Sequence, residues 1–213
     1  MTKKPTKPAE LDSVVRFIYE MGVHQNTPRS GFWLLGSGSQ SVAEHLFRSA
    51  LIAYTLAHLT KGVDKYKVLL MALTHDLGEG RTSDLNYVHQ RYGRLAEQNA
   101  VADIAATFPL WGNEIQSLYE EERERQTVES KLVKDSDILE WIASLRAEEV
   151  KGNLKARAWA KIAYKRLKTP VGKKVGTLMM KQHPDSWWFD EADAWFVNRK
   201  EKDRKWGDAK KKK

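Results

Sequence analysis

Apolar side chains recur at helical spacing along most of the chain, and no strict alternation of apolar and polar residues persists. The pattern predicts an all-α fold. A first helix is expected over about 9–22, ending near Gly22. Residues 23–40, VHQNTPRSGFWLLGSGSQ, read as a long loop rich in Gly, Ser, Asn and Pro, and loops of this length are often functional. Ser41 opens a second helix that runs to about Thr60. Its start, SVAE, is a capping box in which Ser41 caps the third amide and Glu44 reaches back. Asp64 is the N-cap of a third helix that ends at Gly78. Later helices are expected over about 94–107, 112–123, 127–149, 153–167 and 170–181. Neither a repeat nor a boundary interrupts the series, which predicts one helical domain over 9–190.

Composition changes this picture little. A chain of 213 residues can bury one sizeable core, and 41% apolar with 30% charged residues is ordinary for a globular protein. No apolar run approaches the roughly 18 residues of a membrane span. The start, MTKKPTKPAE, lacks the apolar stretch of a secretory signal. The absence of cysteine excludes disulfides and thiolate metal sites, and fits a cytoplasmic protein. The net charge of +8 resides in the tails: residues 1–8 carry three lysines, and residues 198–213 carry nine basic residues against three acids. Residues 9–197 are left at about −1. The ends therefore read as flexible, solvated basic tails, and a nucleic-acid partner is not expected.

Candidate chemistry gathers at three places. In the second helix His45 aligns with Ile52 and Leu56 and points largely inward. The third helix is apolar nearly all round through VLLMALTH and then delivers His75 and Asp76 at its last turn. A buried carboxylate without a partner costs several kcal/mol, so Asp76 calls for a cation or strong donors. In LVKDSDILEWI, Asp137 lies between Val133 and Trp141 on the helical wheel, and Asp135 lies near the opposite edge of the apolar arc. Spacing does not choose between them. Two imidazoles and two carboxylates form a nitrogen–oxygen donor set suited to Mn, Co, Fe, Zn or Mg.

The ordered set AEH (43–45), HDLGE (75–79) and KDSD (134–137) resembles the HD-domain metal-dependent phosphohydrolases, and most closely their 5′-deoxynucleotidase-like branch. The resemblance implies a single HD-domain helical bundle in which His45, His75, Asp76 and Asp137 hold one divalent metal ion. It assigns Glu79 as general acid/base beside the attacking water, Asp84 to the sugar 3′-hydroxyl and Arg29 to phosphate. The family carries a tryptophan one or three residues after that arginine; here Phe32 and Trp33 stand nearby and are assigned to the sugar wall. A nucleotide substrate and a homodimer are implied as well.

The activity expected is removal of the 5′-phosphate from deoxyribonucleoside monophosphates. A dNTP triphosphohydrolase of the same fold is the alternative, and a body near −1 with one matched arginine offers little for a triphosphate. A non-catalytic nucleotide- or nucleic-acid-binding protein whose basic tails make the contact is a further alternative, against which stands the retention of Glu79 with all the ligands. His24, His58, His89 and His183 have no companions at ligand spacing and are read as non-functional; Tyr87, Arg91 and Tyr92 could edge a nucleotide pocket.

Overall fold

The computed structural model describes residues 8–200 and 202, so the two basic tails lie mostly outside the described residues. Among those residues there are twelve α-helices and no strand, only an isolated antiparallel bridge between Pro28 and Ser41. The order is α1 (Pro8–Met21), α2 (Gly31–Leu35), α3 (Val42–His58), α4 (Lys65–Thr74), α5 (Glu79–Thr82), α6 (His89–Tyr92), α7 (Glu97–Thr107), α8 (Gly112–Glu124), α9 (Val128–Val150), α10 (Leu154–Lys165), α11 (Pro170–Met179) and α12 (Ala194–Asn198). Short 3₁₀ turns cover Gly22–Gln25 and Pro184–Trp187.

Helix starts follow local chemistry. The capping box forms, with Ser41 N donating to Glu44 Oε2 at 2.6 Å and Glu44 N donating to Ser41 Oγ at 3.2 Å. Asp64 accepts from Lys67 N, and Thr127 accepts from Ser130 N. Thr169 caps α11, where Pro170 occupies a position that needs no donor.

The third helix differs from expectation by one turn. It stops at Thr74 rather than Gly78, with His75 as its cap. There the bonding tightens from i→i+4 to i→i+3: Leu77 N donates to Thr74 O and Glu79 N to Asp76 O. The His75 ring takes the Ala72 carbonyl at 2.9 Å, an acceptor a longer α-helix would use itself.

The central element is α9, 23 residues long, against which α3, α4, α8, α10 and α11 pack. Leu132, Val133, Leu139, Ile142 and Leu145 of α9 meet Ala50, Ala53 and Leu56 of α3 and Val68 and Met71 of α4. A second apolar cluster joins Leu77, Ile104, Phe108 and Tyr119 to Val14 and Phe17 of α1. The second cluster holds the turn at 75–79 through Leu77. No helix among the described residues is long and apolar enough to cross a membrane.

Candidate metal centre and active site

Each histidine of the HD pattern is oriented by a bond at its far nitrogen. His45 on α3 is fully buried, and its Nδ1 lies 2.7 Å from Glu140 Oε2. His75 turns Nδ1 to the Ala72 carbonyl. Carboxylate and carbonyl oxygens only accept, so both Nδ1 atoms carry a proton, and Nε2 is the nitrogen that each ring turns to the site. His45 Nε2 lies 3.4 Å from Asp76 Oδ2 and 3.5 Å from Asp137 Oδ1, and His75 Nε2 lies 3.4 Å from Asp76 Oδ2. Ligating atoms of His45, His75 and Asp137 fall within 4.8 Å of one another.

This donor set fits a cation. His75 Nε2 is buried and has no hydrogen-bond partner. Four acceptors converge from three helical segments, and Arg29 Nη1, 3.3 Å from Asp76 Oδ2, is the near donor. Burial opposes ionisation of Asp76, but His75, His45 and Arg29 outweigh it and hold the carboxyl well below the usual range. Burial likewise opposes ionisation of Asp137, which Lys134 and the two histidines hold low. On His45 burial and Arg29 favour the neutral ring, yet Asp76 and Glu140 outweigh them and raise its pKa. The cluster draws positive charge to itself.

The structure also separates the two aspartates that the helical wheel could not. Asp137 faces the histidines, and its Oδ2 receives Lys134 Nζ at 2.6 Å. Asp135 is buried on another side of α9, where it accepts from Lys168 N, Thr169 N and Thr169 Oγ1 and so anchors the start of α11.

A cavity of about 430 Å³ opens beside the cluster, lined by Asp76, Glu79, Asp84, Arg29, Tyr87 and Trp141 among others. Glu79 Oε2 is buried without a hydrogen-bond partner and 3.7 Å from Arg29 Nη1. Burial first, then Asp76, pushes the Glu79 carboxyl up to about 10. Asp84 accepts from Ser30 N at 2.8 Å. It follows Ser83, whose φ of 72° is rare for a residue with a side chain, so backbone strain is concentrated at the bend that aims Asp84. Arg29 is placed by the bridge segment, where its amide donates to Gln40 O. Burial works against its charge, but Asp76, Asp84 and Glu79 outweigh that and stabilise the cation.

Phe32 and Trp33, assigned to the sugar wall, do not line the cavity. The short helix α2 sends Phe32 into the core against Trp141, ring centroids 5.1 Å apart, and turns Trp33 outward, 62% exposed. The aromatic lining comes instead from Tyr87, Tyr119 and Trp141. Of the three residues that could edge a pocket, Tyr87 does so, and Arg91 and Tyr92 do not.

Glu140 is the main residue that sequence reasoning missed. It is fully buried, holds His45, and receives Gln40 Nε2 and the Arg48 guanidinium. Its signal was an acid three residues after Asp137 within a buried helix. Burial opposes its ionisation, but His45, Arg48 and Gln40 hold its pKa at about 2.

The chain belongs to the HD domain family of metal-dependent phosphohydrolases, whose pattern matches residues 21–179. Among its relatives, 5′-deoxynucleotidase HDDC2 from Danio rerio is 30% identical over 149 residues, 67% of this chain and 73% of that protein. The protein of the same name from Dictyostelium discoideum is 34% identical over 113 residues, 48% of this chain and 60% of its own length. A conserved hypothetical protein from Pyrococcus furiosus has a similar solved structure, with a TM-score of 0.67 at 27% identity, covering 79% of this chain and 99% of its own.

Proposed function

We propose that this phosphohydrolase removes the 5′-phosphate from deoxyribonucleoside monophosphates. The observation that carries the reading is one cavity in which Arg29, Glu79 and Asp84 stand beside the His45–His75–Asp76–Asp137 cluster. The names of the Danio rerio and Dictyostelium discoideum relatives support it.

His45, His75, Asp76 and Asp137 would hold a divalent cation, which when bound would supply Lewis-acid chemistry to a phosphoryl oxygen and to water. Arg29 presents its guanidinium to the phosphate and offsets charge that develops on the equatorial oxygens. Glu79 takes a proton from the attacking water and returns one to the leaving 5′-oxygen. Asp84, held by Ser30 N, accepts a hydrogen bond from the sugar 3′-hydroxyl. Tyr87 and Trp141 offer flat apolar surface on which a base can stack.

The triphosphohydrolase alternative gains four cavity cations that composition did not reveal, namely Arg123, Arg125, Lys134 and Arg166. Three of them face acids: Arg123 lies 3.8 Å from Glu97, Arg125 3.5 Å from Glu122 and Lys134 2.6 Å from Asp137. Their charge is largely spent within the protein, which favours the monophosphate. Product analysis decides: orthophosphate from dNMPs supports the proposal, whereas tripolyphosphate from dNTPs without dNMP hydrolysis refutes it.

A homodimer is part of the same reading. Leu11, Val15 and Ile18 form an exposed apolar row on α1, as do Phe47, Leu51 and Tyr54 on α3.

A further inference from the structure

His24 lies outside every candidate set read from the sequence, yet the structure gives it two bonds, one local and one to a residue 53 positions away. It is buried in the 3₁₀ turn after α1, with Nδ1 3.1 Å from Met21 O and Nε2 3.0 Å from Leu77 O. Carbonyl oxygens only accept, and a neutral imidazole carries one N–H, so the tautomer with the proton on Nε2 is the one that holds Leu77 O. Met21 is the last residue of α1, where helix carbonyls lack intrahelical partners. Leu77 lies within the turn that carries His75 and Asp76 on one side and Glu79 on the other. The ring therefore ties the end of α1 to the segment that supplies three residues of the site.

The fit is close. A Cβ placed on Gly80 would lie 2.9 Å from both Cε1 and Nε2 of His24, so the ring can approach only because residue 80 has no side chain. Leu77 O also accepts from Gly80 N, at a longer 3.3 Å. The Leu77 side chain is buried in the cluster with Val14, Phe17 and Met21. Both ends of this residue are thus held from the α1 side.

We infer that His24 is a positioning residue for the reaction proposed above. By holding the Leu77 carbonyl through Nε2–H, it fixes the peptide plane between Leu77 and Gly78, and with it the offset between Asp76 and Glu79. Glu79 depends on that backbone, because its Oε2 has no hydrogen bond of its own. The inference rests on the ligand role of Asp76 and the proton-transfer role of Glu79. Arg29 is anchored by its amide on Gln40 O and Asp84 by Ser30 N, so the substrate-binding groups have anchors that do not involve the His24 ring.

Two substitutions separate the two bonds. In His24→Gln the side-chain amide nitrogen falls where Nε2 is and keeps the bond to Leu77. In His24→Asn it falls where Nδ1 is and keeps only the bond to Met21. Both purified full-length variants are assayed, at a temperature where each is folded, for dAMP hydrolysis and for Mn²⁺ affinity by electron paramagnetic resonance. His24→Asn is expected to lower kcat about tenfold with KM unchanged, and to weaken Mn²⁺ binding about tenfold. His24→Gln is expected to stay near wild type in both. Gly80→Ala, which displaces the ring, should reproduce the Asn phenotype and add little to it in the double variant. Equal losses in the Gln and Asn variants, or wild-type behaviour of the Asn variant, overturn the inference. If wild-type protein releases no phosphate from dNMPs, the proposed function fails, and the Mn²⁺ titration still decides the role of His24.

Discussion

Two imidazoles reach one point by different means: His75 is oriented by a carbonyl of its own helix, His45 by a carboxylate 95 residues away. Such outer bonds fix the tautomer and raise ligand basicity, so Glu140→Gln should weaken Mn²⁺ binding about 10- to 100-fold in a calorimetric titration. The same substitution has a signature in stability. The Glu140 pKa is lowered to about 2 in the fold, so the ionised group stabilises the protein above its ordinary value near 4.5. That stabilisation, about 3 kcal/mol, is lost as pH falls from 4.5 towards 2. Urea unfolding at the two ends of this window should show a smaller loss in Glu140→Gln than in wild type. Glu79 moves the other way, because burial and Asp76 favour its protonated form. Acting as base it must be ionised, so the acid limb of the kcat profile is expected above the ordinary 4.5, and Glu79→Gln should abolish it with most of the rate. At this scale the sequence was legible where motif residues were close together and opaque where partners were distant. His24 and Glu140 act across 53 and 95 residues; nothing local marks His24, and Glu140 shows only as an acid within a buried helix. Asp135 and Asp137 both sit in buried arcs of one helix, and only the packing of α11 shows which one serves as a cap.

At the scale of elements, helix starts were legible because each cap acts within three residues. Ser41→Ala should cost about 1 kcal/mol in denaturant unfolding. Helix ends and very short helices were not. The stop at Thr74 comes from ring and hydroxyl bonds to carbonyls, and α5, α6 and α12 have four or five residues each, too few to show a period. In α2 adjacent residues diverge by about 100°, and the helix sends Phe32 into the core and Trp33 to solvent, which a loop reading of this segment did not reveal. Packing between α7 and α8 depends on Gly112, where a Cβ would lie 2.7 Å from Ala105 Cα. Backbone cannot yield as a flexible side chain would, so Gly112→Ala should destabilise by about 1–3 kcal/mol in the same unfolding assay.

For the whole molecule, charge gathered around one cluster couples stability to metal. Acceptors from α3, the turn after α4, and α9 meet there, so a cation that binds them joins three segments. Mn²⁺ at about 100 times its dissociation constant should stabilise the fold by about 2.7 kcal/mol, read as an upward shift in melting temperature. Chelator should reverse the shift, and Asp137→Ala should remove it. The all-α architecture was legible from periodicity alone, and motif order picked out the candidate ligands that the fold brings together. The surroundings of the substrate were not, because the cavity is assembled from side chains between Arg29 and Arg166 that converge only in the folded chain. The central claim is tested most directly by kcat/KM for phosphate release from dNMPs and from the matching ribonucleotides, with Mn²⁺ or Co²⁺ present. The account predicts orthophosphate from dNMPs, a clear preference over ribonucleotides, and loss of both in Glu79→Gln. Hydrolysis of ribonucleotides or simple phosphomonoesters with none of dNMPs would contradict it.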